Sequence, residues 1–267
     1  MNIYLRELKA HRKAIIIWSI SMIIFVIMGM QKYRTLVTGN SDPQAMIDIV
    51  NAMPKFLQAM WGTGSLDMTT PVGYFGILLP YLVLMAGIHA SMLGTSIIYK
   101  EERDKTVEFL MAKPISRKTI ITSKIMAALT NVVIFNIVTY ATSFVVLKGL
   151  TDANITSEIL LSMFSTFLIQ LLFMVLGITA SSTMKNPKKA GALTMAILLG
   201  TFFLSWIVAL SDKLEILTVL TPFKYFEAAS FFKTNSLNVG YIILIIVMIC
   251  ALLKATYYKY ERRDLNL

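Results

Sequence analysis

This chain of 267 residues has very little of the chemistry that builds an active centre. It carries one cysteine, Cys250, and two histidines, His11 and His89, 78 positions apart. A single cysteine closes no intramolecular disulfide, and Cys250 sits inside an apolar run where it fills space in lipid or at a helix contact. Two widely separated histidines make no ligand cluster by sequence spacing, so no metal is assigned. There is no G-x-x-x-x-G-K-[ST] phosphate loop and no Gly-Lys pair anywhere, which excludes ATP hydrolysis by this chain alone. No catalytic residue is assigned, and no cofactor is expected on the chain itself. Acidic groups are also few, 15 against 25 Lys and Arg.

What the chain has in abundance is apolar surface: 56% of its residues are hydrophobic and the mean hydropathy is strongly positive. An ordinary soluble domain does not have this composition. Crossing a bilayer as a helix takes roughly 20 mostly apolar residues, because every backbone polar group must be satisfied within the segment. Six stretches meet that demand: Ala14 to Met30, Val72 to Tyr99, Thr119 to Lys148, Ile159 to Ser182, Ala190 to Leu210, and Val239 to Tyr257. The expected fold is all-α, a single transmembrane domain over residues 1–267 with six spans. The basic start MNIYLRELKAHRK followed by an apolar run looks like a signal peptide, but Ser19 to Gly29 offers no small-x-small cleavage site, so a retained anchor is expected.

Charge sets the orientation. With both termini inside, 18 of the 25 basic side chains fall on the cytoplasmic side, and only Lys32, Arg34, Lys55, Lys148, Lys213, Lys224 and Lys233 fall outside. The net charge of +10 then faces the anionic inner leaflet and needs no nucleic acid to explain it.

Between the spans, residues 1–13 read as a short interfacial helix, with Ile3, Tyr4 and Leu8 toward lipid and Arg6, Lys9 and Lys13 toward headgroups. A plain basic flank that sets topology fits as well. Residues 31–71 form an outer segment in which Ser41 or Asp42 caps a helix with Pro43 in its first turn, and Met46, Ile49, Val50 and Met53 share a face until Pro54. A second outer segment, 211–238, is aromatic: Phe223, Tyr225, Phe226, Phe231 and Phe232 suit an interfacial or partly re-entrant cap. Small-residue strips, Gly87, Ser91 and Thr95 in the second span and Ala192, Ala196 and Gly200 in the fifth, allow close helix packing within one chain or between two.

Residues 100–116 are the one dense charge cluster. No Gly or Pro occurs from Lys100 to Ala112, Val107, Leu110 and Met111 share a face, and Glu101 can pair with Lys105 one turn on. Pro114 stops this short helix and Ser116 is placed to cap the next. Physics alone supports two readings equally: a docking helix at the inner surface, or a solvated loop whose ion pairs contribute about 0 to 1 kcal/mol each.

A resemblance distinguishes them. Glu101-Glu102-Arg103-Asp104-Lys105-Thr106-Val107-Glu108-Phe109-Leu110, followed by Pro114-Ile115-Ser116-Arg117, resembles the E-x-x-x-G-T-x-E-x-L-L…P-x-S-R signature of type-2 ABC-transporter permeases. Thr221-Pro222-Phe223-Lys224-Tyr225-Phe226 resembles their S-P-F-x-Y-F segment, and Tyr260-Glu261-Arg262-Arg263-Asp264-Leu265 their F-x-R-R-D-L terminus. The six-span layout covers the whole chain, the motifs only these three places, and Lys105 stands where the family has Gly. The resemblance implies a permease subunit of an ABC exporter in the plasma or inner membrane, with 100–116 as the coupling helix between spans 2 and 3. A separate ATPase subunit, binding ATP and Mg, would dock on Glu101, Glu102, Thr106, Glu108, Phe109 and Leu110, joined stiffly to the third span by Pro114, Ser116 and Arg117. It also implies a second permease subunit, identical or related, and a cargo that is drug, peptide or lipid-like. The Ile-, Lys- and Met-rich composition suits a bacterial source.

Polar side chains within the spans mark a candidate substrate path: Tyr81 and His89 in the second, Asn136 and Thr139 in the third, Gln170 in the fourth. Interhelical hydrogen bonds explain the same residues. The alternative function is a secondary transporter or channel without an ATPase partner, against which stands the lack of a mid-membrane carboxylate, Glu158 lying near a span end. An E-E-x-x-x-R membrane protease is excluded, because Thr106 occupies the arginine position.

Overall fold

The computed structural model describes residues 2–38, 48, 50–54, 56–58, 66–104, 115–184, 186–228, 232 and 234–262. Six long helices carry the fold: α1 (Ile3–Thr38), α2 (Pro71–Arg103), α3 (Arg117–Lys148), α4 (Thr156–Thr183), α5 (Pro187–Val208) and α6 (Val239–Glu261). Each is long and apolar enough to cross a bilayer, and no strand occurs among the described residues. The all-α, six-span expectation therefore holds.

Local sequence sets the helix starts. Thr70 Oγ1 accepts the Gly73 N–H at 3.1 Å, with Pro71 in the first turn of α2. Ser116 Oγ accepts the Thr119 N–H at 3.1 Å, the cap foreseen for the third span. Asn186 and Asn238 do the same for α5 and α6, at 3.0 Å to Lys188 N–H and 2.9 Å to Gly240 N–H. Each cap satisfies donors that a helix start would otherwise leave open.

Two boundaries differ from the sequence expectation. Residues 3–13 and the first span are one unbroken helix of 36 residues, about 54 Å long. With no Gly or Pro between Ile3 and Met28, nothing in that sequence stops the helix at Lys13. Ile3, Tyr4 and Leu8 accordingly pack on α2, α3 and α6 instead of facing lipid, and the Tyr4 hydroxyl lies 3.0 Å from Thr130 Oγ1. The second span continues past Tyr99 to Arg103, so Lys100 and Glu101 belong to its last turn. The capped helix expected over 41–53 lies largely outside the described residues.

The most buried helix is α4, which packs against α2, α3, α5 and α6, whereas α6 and α1 present most of their apolar surface outward. Its closest neighbour is α2. A Cβ built at Gly94 would collide with the Met174 carbonyl, and one at Gly177 would sit 2.7 Å from the Ser91 carbonyl, so the two backbones touch where each chain has glycine. The small-residue strip of the second span, Ser91 and Thr95 included, thus packs within the chain, and Ser181 Oγ donates to the Thr95 carbonyl at 3.2 Å. The strip of the fifth span, Ala192, Ala196 and Gly200, faces outward. Cys250 is exposed on α6.

At the end of the bundle away from the termini, the 211–238 segment folds as two short 3-10 helices, Asp212–Leu220 and Pro222–Lys224. Its aromatics are packed, not splayed: Phe223 lies 5.2 Å from Phe202 and 5.6 Å from Phe173 by ring centroid, and Tyr225 stacks on Tyr241 at 4.6 Å. Thr221, fully buried, donates to the Thr201 carbonyl at 2.9 Å. Phe231 lies outside the described residues.

Candidate functional site

At the other end, where both termini lie, a buried ionic cluster ties three helices together. The described residues contain three buried charged side chains, Glu7 of α1, Glu101 of α2 and Lys124 of α3, at 0%, 4% and 0% exposure. Lys124 Nζ donates to Glu101 Oε2 and to the Ile97 carbonyl, each at 2.5 Å, and lies 3.9 Å from Glu7 Oε1. Arg6 Nη2 bridges the two carboxylates, at 2.7 Å to Glu101 and 3.0 Å to Glu7. Lys100 completes the set at 3.2 Å from Glu7 Oε2. Around it packs an apolar shell that includes Ile3, Ile97, Ile120, Ile121 and Tyr260.

Each carboxylate has at least two cationic neighbours within 4 Å, which offsets the cost of removing it from water. Such a cluster is weak support for stability as such, because well-packed apolar residues serve equally well there. It does fix register, since a slipped helix would leave a buried charge unpaired. The consequence is mechanical. Residues 105–114 begin four positions after Glu101 and end three before Arg117, so both ends of that segment are anchored in the bundle. On the far side, Ser116 caps α3, Arg117 Nη1 donates to the Glu261 carbonyl at 3.0 Å, and Lys118 lies 3.3 Å from Glu261.

The structure divides the docking residues inferred from the family signature. Glu101 turns inward and engages Lys124 and Arg6, so its carboxylate is not on an outward face. Glu102 is half-buried, Ser116 is exposed, and Arg117 reaches α6. Thr106, Glu108, Phe109, Leu110, Pro114 and the Lys105 partner once expected for Glu101 lie outside the described residues.

The five substrate-path residues do not gather at one place. Asn136 Nδ2 donates to Gln170 Oε1 at 3.0 Å and to the Met163 carbonyl at 3.3 Å, in the seam between α3 and α4. Thr139, on the same helix, bonds its own Phe135 carbonyl at 2.8 Å. Tyr81 is partly buried on α2. His89 alone of the five lines a cavity of about 430 Å³ bounded by α1, α2, α3 and α5. His11 lines the same cavity, although the two histidines are 78 positions apart in sequence. The described residues hold no group of three or more metal-ligating side chains.

Sequence reasoning missed Glu7 and Lys124. Glu7 is the first acid in the chain and the next is Asp42, so it stands alone in a basic segment. Lys124 falls five positions into the third span, where an ionisable side chain among apolar residues implies a partner. Counting it as one more topology-setting cation hid that signal.

A bundle of six helices, each long and apolar enough to cross a bilayer, with the buried charges of its described residues clustered at one end, is a multi-pass membrane protein. The match to a family model settles which class: the chain belongs to the ABC-2 family transporter proteins, matched over residues 1–265. These are the membrane components of ABC transporters. No curated protein matches the chain.

Proposed function

We propose that this chain is the permease subunit of an ATP-driven exporter, working with a separate ATPase docked on the segment that joins α2 to α3. The observation that carries this reading, beyond family membership, is the anchoring of that segment at both ends by Glu101 and by Arg117. Both termini and the 105–114 segment face the cytoplasm, as the distribution of Lys and Arg favours. Glu102, Thr106, Glu108, Phe109 and Leu110 supply the docking surface, and Pro114, Ser116 and Arg117 join it to α3. Glu101 acts from behind, tying the segment to Lys124. Closure of two ATPase subunits around nucleotide then moves α1, α2 and α3 as one body. A second permease subunit packs against the outward strip of α5, Ala192, Ala196 and Gly200. ATP and Mg belong to the partner, and the complex resides in the cell membrane of a bacterium.

The test is gentle-detergent affinity purification of the native complex with mass spectrometry and an ATPase assay. An ATPase in about equal amount is expected, and Glu102→Lys/Glu108→Lys should dissociate or uncouple it while leaving the permease inserted. A chain that purifies alone under several detergents would instead favour a secondary transporter or channel.

A further inference from the structure

The segment at the end of the bundle away from the termini holds a 3-10 helix of nine residues, Asp212–Leu220, in a geometry whose runs seldom exceed three or four. With three residues per turn, every third side chain stacks on one face, and the sequence sorts accordingly. Ile216 and Val219 share one face and are exposed, Ile216 at 81%. Glu215 and Thr218 share another, and both line a basin of about 360 Å³ between the end of α5, this helix and the start of α6.

The lining defines what the basin takes. Its charged groups are two carboxylates, Glu215 and Glu227, against one ammonium, Lys224. Lys224 is ion-paired with Glu227, whereas Glu215 makes no ion pair among the described residues. An anion would have to displace Glu227 from Lys224 and also approach Glu215; a cation finds the Glu215 carboxylate unengaged. At the start of α6, Asn238 takes the Gly240 N–H on its own side chain, which blunts the pull of that helix end on an anion. Thr218 is a second, independent pointer to a ligand. It is only 6% exposed, yet its hydroxyl makes no hydrogen bond among the described residues and is not sealed off, so it opens into the basin. Tyr241, stacked on Tyr225, adds an aromatic ring to the same wall, and such rings attract ammonium groups.

We propose that this basin binds an organic ammonium group, with Glu215 as its counter-ion and Thr218 Oγ1 as a hydrogen-bond acceptor. A soluble amine carries that group, and so does the headgroup of an aminophospholipid. The apolar face of the same 3-10 helix suits the edge of a leaflet, which brings both sources within reach. That the basin opens to the outside rests on the topology of the transport reading above; binding itself does not.

The experiment uses the full chain in dodecyl maltoside, a detergent with neither charge nor ammonium, with Trp18→Phe and Trp61→Phe leaving Trp206 as the sole reporter. Trp206 stands one helical turn before Ala209, which lines the basin. The probe is dansylcadaverine, a primary ammonium tethered to a fluorophore that accepts energy from tryptophan. Dansylamide, the same fluorophore without the ammonium, is the control. Saturable transfer is expected with dansylcadaverine and not with dansylamide. Affinity should fall about three- to fivefold in Glu215→Gln, the worth of one partly exposed ion pair. It should fall about two- to threefold in Thr218→Val, which keeps the shape and removes the hydroxyl. Glu215 is exposed, so its variant disturbs no packing, and Asp152→Asn, which removes an exposed acid elsewhere at the same end, should leave affinity unchanged. Equal losses in Glu215→Gln and Asp152→Asn would mean a diffuse field and no site. Transfer that never saturates, or unchanged affinity in Glu215→Gln, would overturn the proposal equally. Displacement of the probe by phosphatidylethanolamine, but not by the diacylglycerol that lacks its headgroup, assigns the ammonium to lipid; no displacement by either assigns it to a soluble amine. The titration needs neither nucleotide nor partner, and a micelle leaves both ends of the bundle open. Failure to find an ATPase, or an inverted topology, would therefore remove the transport reading and leave this result standing.

Discussion

Lys124→Met tests the buried cluster most directly. The substitution keeps the length and volume of the side chain and removes only the ammonium, which holds Glu101 at 2.5 Å and the Ile97 carbonyl at 2.5 Å. Glu101 would remain 4% exposed, with Arg6 at 2.7 Å as the cation left beside it in the cluster. Breaking a buried pair by removing one partner costs about 3–5 kcal/mol. Arg6 and Lys100 remain on the two carboxylates and compensate in part, which places Lys124→Met at about 3 kcal/mol, the low end of that range. Glu101→Gln strands the Lys124 ammonium, with Glu7 only at 3.9 Å, so it should cost at least as much. The double variant leaves no unmatched charge on the α2–α3 pair, and replacing a whole buried pair is often near neutral. With each single at about 3 kcal/mol and the double close to neutral, a double-mutant cycle should return a coupling above about 3 kcal/mol, the double variant being less damaged than either single. The assay is reversible unfolding in mixed detergent and SDS micelles, read by tryptophan fluorescence. Additivity within about 0.5 kcal/mol would mean that the two side chains do not interact energetically, and the brace would have to be abandoned.

Gly94→Ala should destabilise the bundle by about 2–3 kcal/mol in the same assay, because its methyl meets the Met174 backbone of α4 and the helices must part. Gly200→Ala should change stability by less than about 0.5 kcal/mol, since nothing lies within 4 Å of its added carbon; equal losses at the two sites would contradict the packing. In a Cys250→Ser background, a cysteine at position 48 should react with an impermeant maleimide from outside intact cells and one at position 104 only after permeabilisation. Both positions are exposed, so accessibility does not confound the comparison, and the reverse pattern would invert the topology.

The spans were legible in the sequence because lipid leaves so few options: a run of apolar residues that long must be a helix. Capping was legible too, since Ser116 acts locally and its partner, the Thr119 N–H, is three residues away. The brace was not, because its members lie at positions 6, 7, 100, 101 and 124, and pairing across such distances depends on which helices become neighbours. The family signature named Glu101 but gave it the wrong direction within the chain: an acid in a docking motif is read as outward, whereas the helix phase of α2 turns it toward Lys124. His11 and His89 show the same limitation. Spacing separated them, and the packing of α1 on α2 and α3 brought them to one cavity.

The distribution of satisfied and unsatisfied polar groups gives these observations a common sense. Within the spans, Thr95, Thr139, Ser162, Thr166 and Thr194 each bond a carbonyl one turn back on their own helix, so they impose no register between helices. Interhelical ties of charged groups are concentrated at the end nearest the termini, where α1, α2 and α3 meet. The far end instead relies on aromatic packing and a few carbonyl bonds around Thr221 and Tyr225. Charged, buried contacts resist sliding more than apolar ones, because displacement leaves an ion unpaired in low dielectric. On the transport reading proposed above, a push delivered at the 105–114 segment would rotate the braced end as a block and be taken up by slippage among apolar and aromatic surfaces farther along. The His89 cavity lies on the ionic side of the bundle, running along α2 to Tyr99 beside Lys100, and borders α5, a helix that the ionic cluster does not hold. That is the place where relative motion of braced and unbraced helices would change the volume of a pocket without breaking a single ion pair.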